Sequence, residues 1–243
     1  MENTTPSNPN KKKTLVLFDI GSVLASLDFD YFYAIGDCLS KTKGFQKRYE
    51  SSVIDKIAME GKLSETEYLE ELKKLINPID EISLDLIAYV YNLCCKTQID
   101  EMVQLKKEIS KAGYSVGILS NMNSTIHKHL LNNYPEMLET YDEKSPSIFS
   151  YEVGAIKPDN KIYESIKNFD KVIFIDDKQM YLKKGIDEFG WFGILFTPYI
   201  DLSETIRQIH SDKTQPTKNF KIANNMVELK IALNNFGVKV SAL

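Results

Sequence analysis

Four short apolar runs constrain this chain more than any other feature: "TLVLFD" (Thr14–Asp19), "YSVGILS" (Tyr114–Ser120), "KVIFID" (Lys171–Asp176) and "FGILF" (Phe192–Phe196). None alternates apolar with polar residues, so each predicts a strand covered on both faces. Amphipathic helical patterns lie between them, which makes the chain α/β with a mostly parallel sheet. Ligands of such open sheets bind beyond the carboxyl ends of the strands. Three of the four runs end there on a group able to do chemistry, namely Asp19, Ser120 and Asp176.

Between the first and second runs, roughly Asp28 to Lys111, the chain is far longer than a simple crossover requires. "GKLSETEYLEELKKLINP" places Ser64 and Glu67 as a capping box ahead of an apolar face, and Asn77-Pro78 stops the helix. "SLDLIAYVYNLCCK" reads as a further helix. "EMVQLKKEISKAG" reads as the helix that leads back to the core, stopped by Gly113. The expected division is a flexible arm over 1–13, a core made of 14–27 and 101–243, and an inserted helical cap over 28–100. Near the end, "SDKTQPTKNFK" reads as a polar loop and "NNMVELKIALNNFG" as a packed amphipathic helix.

With 243 residues, 43% hydrophobic and 26% charged, the chain can bury a substantial core. A net charge of -4, with no basic run beyond Lys11–Lys13, argues against a nucleic-acid partner. Cys38, Cys94 and Cys95 lack the spacing of a zinc site or a disulfide framework, which fits a reducing compartment. The start "MENTTPSNPNKKK" has no apolar run of a secretory signal, and no stretch is long enough to span a bilayer. The expected location is therefore cytoplasmic.

Asp19, Ser120-Asn121, Lys157 in "VGAIKPDNKIYE" and Asp176-Asp177 in "VIFIDDKQM" form the chemical constellation. Carboxylates, a hydroxyl, an amide and a lysine at one sheet edge suit a dianion bound with a divalent cation. Mg²⁺ takes one or two carboxylates plus substrate oxygens. A lysine and a hydroxyl can satisfy the other phosphoryl oxygens, and an aspartate can act as nucleophile. Each motif alone has a plainer reading: a strand end, a turn, a surface loop, a helix cap. His127 and His129 read as facing solvent or a groove, Asp28 and Asp30 as loop or helix-start residues, and Phe29, Tyr31, Phe32 and Tyr33 as cap packing.

Taken together, "FDIGSVL", "LSNMNS", "GAIKPDNKIYE" and "FIDDKQMYLKKG" resemble, in order, the four motifs of the haloacid dehalogenase-like hydrolase superfamily, over Thr14 to Phe196. "FDIGSVLASLDFD", "GKLSETEYLEEL" and "SNMNSTIHKHLLNNYPEM" are most similar to its glucose-1-phosphatase-like branch, near the N-terminal phosphatase domains of soluble epoxide hydrolases. The resemblance implies a Rossmann-like three-layer core with a small helical cap. It implies Asp19 as nucleophile, Ser120 and Asn121 as phosphate-binding residues, and Lys157 as stabiliser of the transferring group. Mg²⁺ would be held by Asp19, the Gly21 backbone carbonyl, Asp176 and Asp177.

The chain departs from the pattern at Gly21, where most phosphatases of the superfamily carry an aspartate that protonates the leaving alcohol. Losing a general acid typically costs about 10²–10⁴ in rate, or about 3–5 kcal/mol. The expectation is a Mg²⁺-dependent phosphatase favouring good leaving groups: a sugar 1-phosphate, an aryl phosphate, or phosphotyrosine on a protein. Rival readings are a binding protein that has lost turnover, a 2-haloacid dehalogenase, which also lacks the second aspartate, and a phosphonate-cleaving enzyme using a cap lysine such as Lys56 or Lys62.

Overall fold

Each of the four apolar runs is a strand in the computed structural model, which describes residues 13–198 and 218–241. In chain order the strands are β1 (Thr14–Phe18), β2 (Ala25–Leu27), β3 (Cys95–Gln98), β4 (Ser115–Ser120), β5 (Ser147–Phe149), β6 (Lys171–Asp176), β7 (Phe192–Phe196) and β8 (Phe220–Ala223). Six of them make one sheet in the order β5-β4-β1-β6-β7-β8, and every neighbouring pair is parallel. Phe18 pairs with Ile118 on one side and Ile175 on the other. That register brings the residues after β1 level with the last residues of β4 and β6, at one sheet edge.

Successive side chains in a strand point to opposite faces, and here both faces are apolar. Val16, Phe18, Val116, Ile118, Ile173 and Ile175 share a core with Met102, Leu105 and Ile109 of helix Asp100–Lys111 and with Leu229 and Leu233 of helix Met226–Asn235. Leu15, Leu17, Leu119, Val172 and Phe174 pack on the other side against Ile162, Tyr163, Leu182 and Trp191. The result is helices, sheet, helices.

The stretch from Phe29 to Asn92 is helical, as its sequence predicts, and surrounds a core of its own. Helices Phe29–Leu39, Phe45–Ser51, Ile54–Met59, Glu65–Ile76 and Leu84–Asn92 enclose Phe32, Phe45, Tyr49, Tyr68, Leu72, Ile76, Ile87 and Tyr91. Phe32 meets Phe45, Tyr49 and Tyr91 edge-on, with centroids 5.2, 5.1 and 5.6 Å away. Gly36 permits this closeness, because a Cβ there would lie 2.1 Å from Phe45 Cδ1. The capping box of Ser64 and Glu67 forms, and Asn77 ends that helix in the left-handed region with φ 50°.

Several details differ from the sequence reading. The helix at Leu84 stops at Asn92, and Cys95–Gln98 becomes β3, paired antiparallel with β2. This two-stranded ribbon ties together the points where the chain leaves and re-enters the sheet core. β5 and β8 extend the sheet beyond the four strands that the apolar runs mark. Among the aromatics expected to pack, Phe32 is buried, and Phe29 and Tyr33 lie against its cluster, but Tyr31 is 56% exposed. Residues 1–12 of the arm and Ser211–Thr217 of the polar loop lie outside the described residues. No helix among the described residues is long and apolar enough to cross a membrane.

Candidate active site

Asp19 follows β1, Asp176 ends β6 and Asp177 follows it, and all three are buried. A carboxylate oxygen from each lies within 4.8 Å of the others. The shared parallel register forces this meeting, since Asp19 N–H donates to Ile175 O at 2.9 Å. Lys157 reaches the same point from the segment after helix Ser150–Val153. Its ammonium is fully buried, 3.0 Å from Asp19 Oδ1 and 2.7 Å from Asp176 Oδ2, and it donates to Leu119 O at 3.0 Å. The rings of Phe174 and Tyr181 flank it, with centroids 5.1 and 4.9 Å away, a favourable placement for a desolvated cation.

The charges are incompletely balanced. Three carboxylates face Lys157 and the ammonium of Lys178, which lies 3.1 Å from Asp177 Oδ2. Burial works against the Lys157 charge, but Asp176 and Asp19 together outweigh it and hold the lysine above its ordinary range. Burial is also the main cause pushing Asp176 up, aided by Asp19 and Asp177 and opposed by Lys157. Asp177 is raised by burial and then by Asp19. Asp19 Oδ1 is buried and, despite its ion-pair contact with Lys157, receives no aligned hydrogen bond. A hard dication takes oxygen donors, would relieve the carboxylate repulsion and would satisfy that oxygen. The cluster is therefore chemically suited to hold a metal.

The loop after β4 closes the other side. Ser120 is 2% exposed. Asn121 clasps the Lys157 backbone both ways: Lys157 N–H donates to Asn121 Oδ1 at 2.7 Å, and Asn121 Nδ2 donates to Lys157 O at 3.2 Å. Met122 N–H donates to Ser150 Oγ at 3.0 Å, and that hydroxyl donates back to Met122 O at 3.1 Å. Gly21, two residues after Asp19, carries no side chain; a Cβ there would lie 3.0 Å from Leu27 Cδ1. The apolar end of Leu27 thus lies against the place where a side chain at position 21 would begin.

Other candidates stand apart from the aspartates. His127 is packed rather than open: Nδ1 is 2.6 Å from Tyr151 Oη and its ring centroid is 4.2 Å from that of Phe149. His129 lines a separate cavity of about 420 Å³ with Asp28, Tyr31, Tyr89, Lys96 and Tyr134. Asp28 caps helix Phe29–Leu39 through Tyr31 N–H at 3.4 Å, as a helix-start residue should, and Asp30 lies in its first turn. Lys56 and Lys62 are exposed and pair with Glu60 at 3.9 and 2.5 Å, so neither has the desolvation that activates a lysine for Schiff-base chemistry. Tyr68 is legible in sequence only as part of an apolar helix face, and no functional role is legible for Asp55, Tyr91, Asn123 or Ser150. Asn123 lies inside "LSNMNS" and Ser150 just ahead of "VGAIKPDNKIYE", whereas nothing local marks Asp55.

No protein-family model and no curated protein matches the sequence. Solved structures do match. An HAD-family enzyme of Bacteroides thetaiotaomicron, solved with magnesium and inorganic phosphate, superposes with a TM-score of 0.64 at 20% identity, over 80% of this chain and 99% of that one. The chain has the haloacid dehalogenase-like fold. An HAD-like hydrolase of Porphyromonas gingivalis aligns at TM-score 0.62 and 18% identity, over 84% of this chain and all of that one (100%). L-2-haloacid dehalogenase of Xanthobacter autotrophicus, with chloropropionic acid covalently bound, aligns at 0.52 and 17%, over 84% and 85% of the two chains.

Proposed function

We propose that this haloacid dehalogenase-like chain is a Mg²⁺-dependent phosphatase that hydrolyses a phosphomonoester through an aspartyl-phosphate on Asp19. The observation that carries this reading is the buried Lys157 ammonium in contact with both Asp19 and Asp176 at adjacent strand ends, with Asp177 alongside. The magnesium and phosphate in the Bacteroides neighbour support it. Mg²⁺, held by Asp19, Asp176, Asp177 and the Gly21 carbonyl, would neutralise phosphoryl charge when bound.

The chain's own residues divide the remaining work. Ser120, Asn121 and Lys157 orient the phosphoryl oxygens, and Lys157 stabilises charge building on them. Asp19 attacks phosphorus, and the ester P–O bond breaks with its electrons going to the leaving oxygen. Water then attacks the phosphorus of the acyl phosphate and frees Asp19 as a carboxylate. At Gly21 no side chain can protonate the leaving oxygen, and Leu27 turns an apolar surface to that place. Both features favour a leaving group that departs unprotonated, such as a phenolate or an anomeric oxygen, so the substrate class is an aryl phosphate, phosphotyrosine or a sugar 1-phosphate.

The test is a panel of aryl, anomeric and simple alkyl phosphates, each with magnesium and with chelator. Metal-dependent turnover weighted to the first two classes is expected, and equal turnover of alkyl esters would overturn the leaving-group reading. Gly21→Asp sharpens it. Gly21 does not adopt the left-handed backbone, and only the flexible end of Leu27 opposes a side chain. This variant should raise alkyl-ester turnover by about 10²–10⁴. The Xanthobacter neighbour and the bare Gly21 keep a dehalogenase as the second reading; chloride release from a 2-haloacid without magnesium would favour it.

A further inference from the structure

A polar cluster unused by this chemistry joins the helical insertion to the loop that follows Ser120. Asn123 is 1% exposed. Its Oδ1 caps helix Ser124–Asn133 by accepting from Ile126 N–H at 3.0 Å. Its Nδ2 donates to Tyr91 Oη at 2.8 Å and to Asp55 Oδ1 at 3.3 Å. Asp55, on helix Ile54–Met59, accepts on that same oxygen from Tyr91 at 3.0 Å and Tyr68 at 3.3 Å. The Tyr49 hydroxyl lies 3.4 Å from that of Tyr68. Among the described residues, the groups bonded to Asp55 are neutral, and no lysine, arginine or histidine pairs with it.

Each position of the loop is thus held by a different part of the molecule. Asn121 holds the Lys157 backbone, Met122 exchanges hydrogen bonds with Ser150, and Asn123 holds the insertion. Ser120 stands at its head. Donors converging on one oxygen of Asp55 fix that carboxyl, and rigid neighbours transmit small displacements rather than absorb them.

We propose that Asp55 and Tyr91 are positioning residues, which act through Asn123 to couple the placement of the helical insertion to the geometry of Ser120, Asn121 and Lys157. The catalytic consequence rests on the phosphatase reading, while the coupling itself does not. The variant that isolates the contact is Asn123→Asp. Aspartate caps a helix as well as asparagine does, so the cap persists while a carboxylate is set against Asp55. The exchange Asp55→Asn with Asn123→Asp restores a donor facing an acceptor, and the pair forms a double-mutant cycle.

In Asn123→Asp, kcat/KM for an aryl phosphate should fall by about tenfold or more, chiefly in kcat, as a small misplacement of reacting groups does. Amide exchange should quicken together over 54–59 and 120–126. The double exchange should recover both. The proposal is overturned if Asn123→Asp leaves kcat and exchange at wild-type values, or if the double exchange rescues neither. If the wild type hydrolyses no phosphate ester, the phosphatase reading fails, and the amide exchange alone then decides the coupling in the same way.

Discussion

A carboxylate cluster and a lone carboxyl lie in different parts of this molecule, and they are compensated in opposite ways. At the sheet edge, Asp19, Asp176 and Asp177 crowd together with Lys157 and Lys178 against them. In the insertion, Asp55 is met by tyrosine hydroxyls and one amide. Charge brought against charge leaves oxygen donors suited to a hard cation, whereas neutral donors around a single carboxyl only fix its position. Burial raises the proton affinity of Asp55 as it does that of Asp176 and Asp177, so a raised pKa does not by itself distinguish chemistry from scaffolding. The partners do.

The sharpest way to break this comparison is to remove the buried cation. Lys157→Met should cost about 3–5 kcal/mol, the usual result of leaving a buried charge unpaired, read as a fall in Tm of roughly 10 °C. Asp55→Asn should cost only about 1 kcal/mol, since its amide oxygen still accepts from the tyrosines; similar losses for both variants would erase the distinction. Next in size is the metal. Magnesium at about a hundred times its Kd should stabilise the wild type by about 2.7 kcal/mol. The gain should vanish in Asp176→Asn and persist in Asp55→Asn.

The smallest effect is on pH dependence. With its pKa raised in the fold, Asp55 keeps a proton that the unfolded chain releases near its ordinary value of 3.8. Its contribution to stability is therefore present below that value and declines as pH rises towards the raised one. Asp55→Asn should flatten the stability profile over that window in thermal melts of the metal-free protein. An unchanged slope would remove Asp55 as its source.

The sheet edge was far more legible in sequence than the insertion. Runs such as "TLVLFD" and "KVIFID" carry their own pattern, and covered parallel strands need no partner to be recognised. β2 and β5 span three residues each, too few to show a period, and "CCK" continues a helical pattern until pairing with β2 claims it. β8 begins inside a polar stretch, "TKNFK". The aspartates, Ser120 and Lys157 were found because they fall at strand ends or beside a motif. Asp55 and Asn123 meet across 68 positions, and neither "VIDKIAME" nor "SNMNS" contains anything that names the other. Leu27 is marked only by the space at Gly21 that it faces.

The proposed phosphoryl transfer to Asp19 can be read directly by quenching the protein during turnover of an aryl phosphate and weighing its peptides. One phosphoryl group should appear on the peptide carrying Asp19 with magnesium present, and disappear with chelator or in Asp19→Asn. Sustained turnover with no phosphoryl group on that peptide, or turnover indifferent to chelator, would contradict the account.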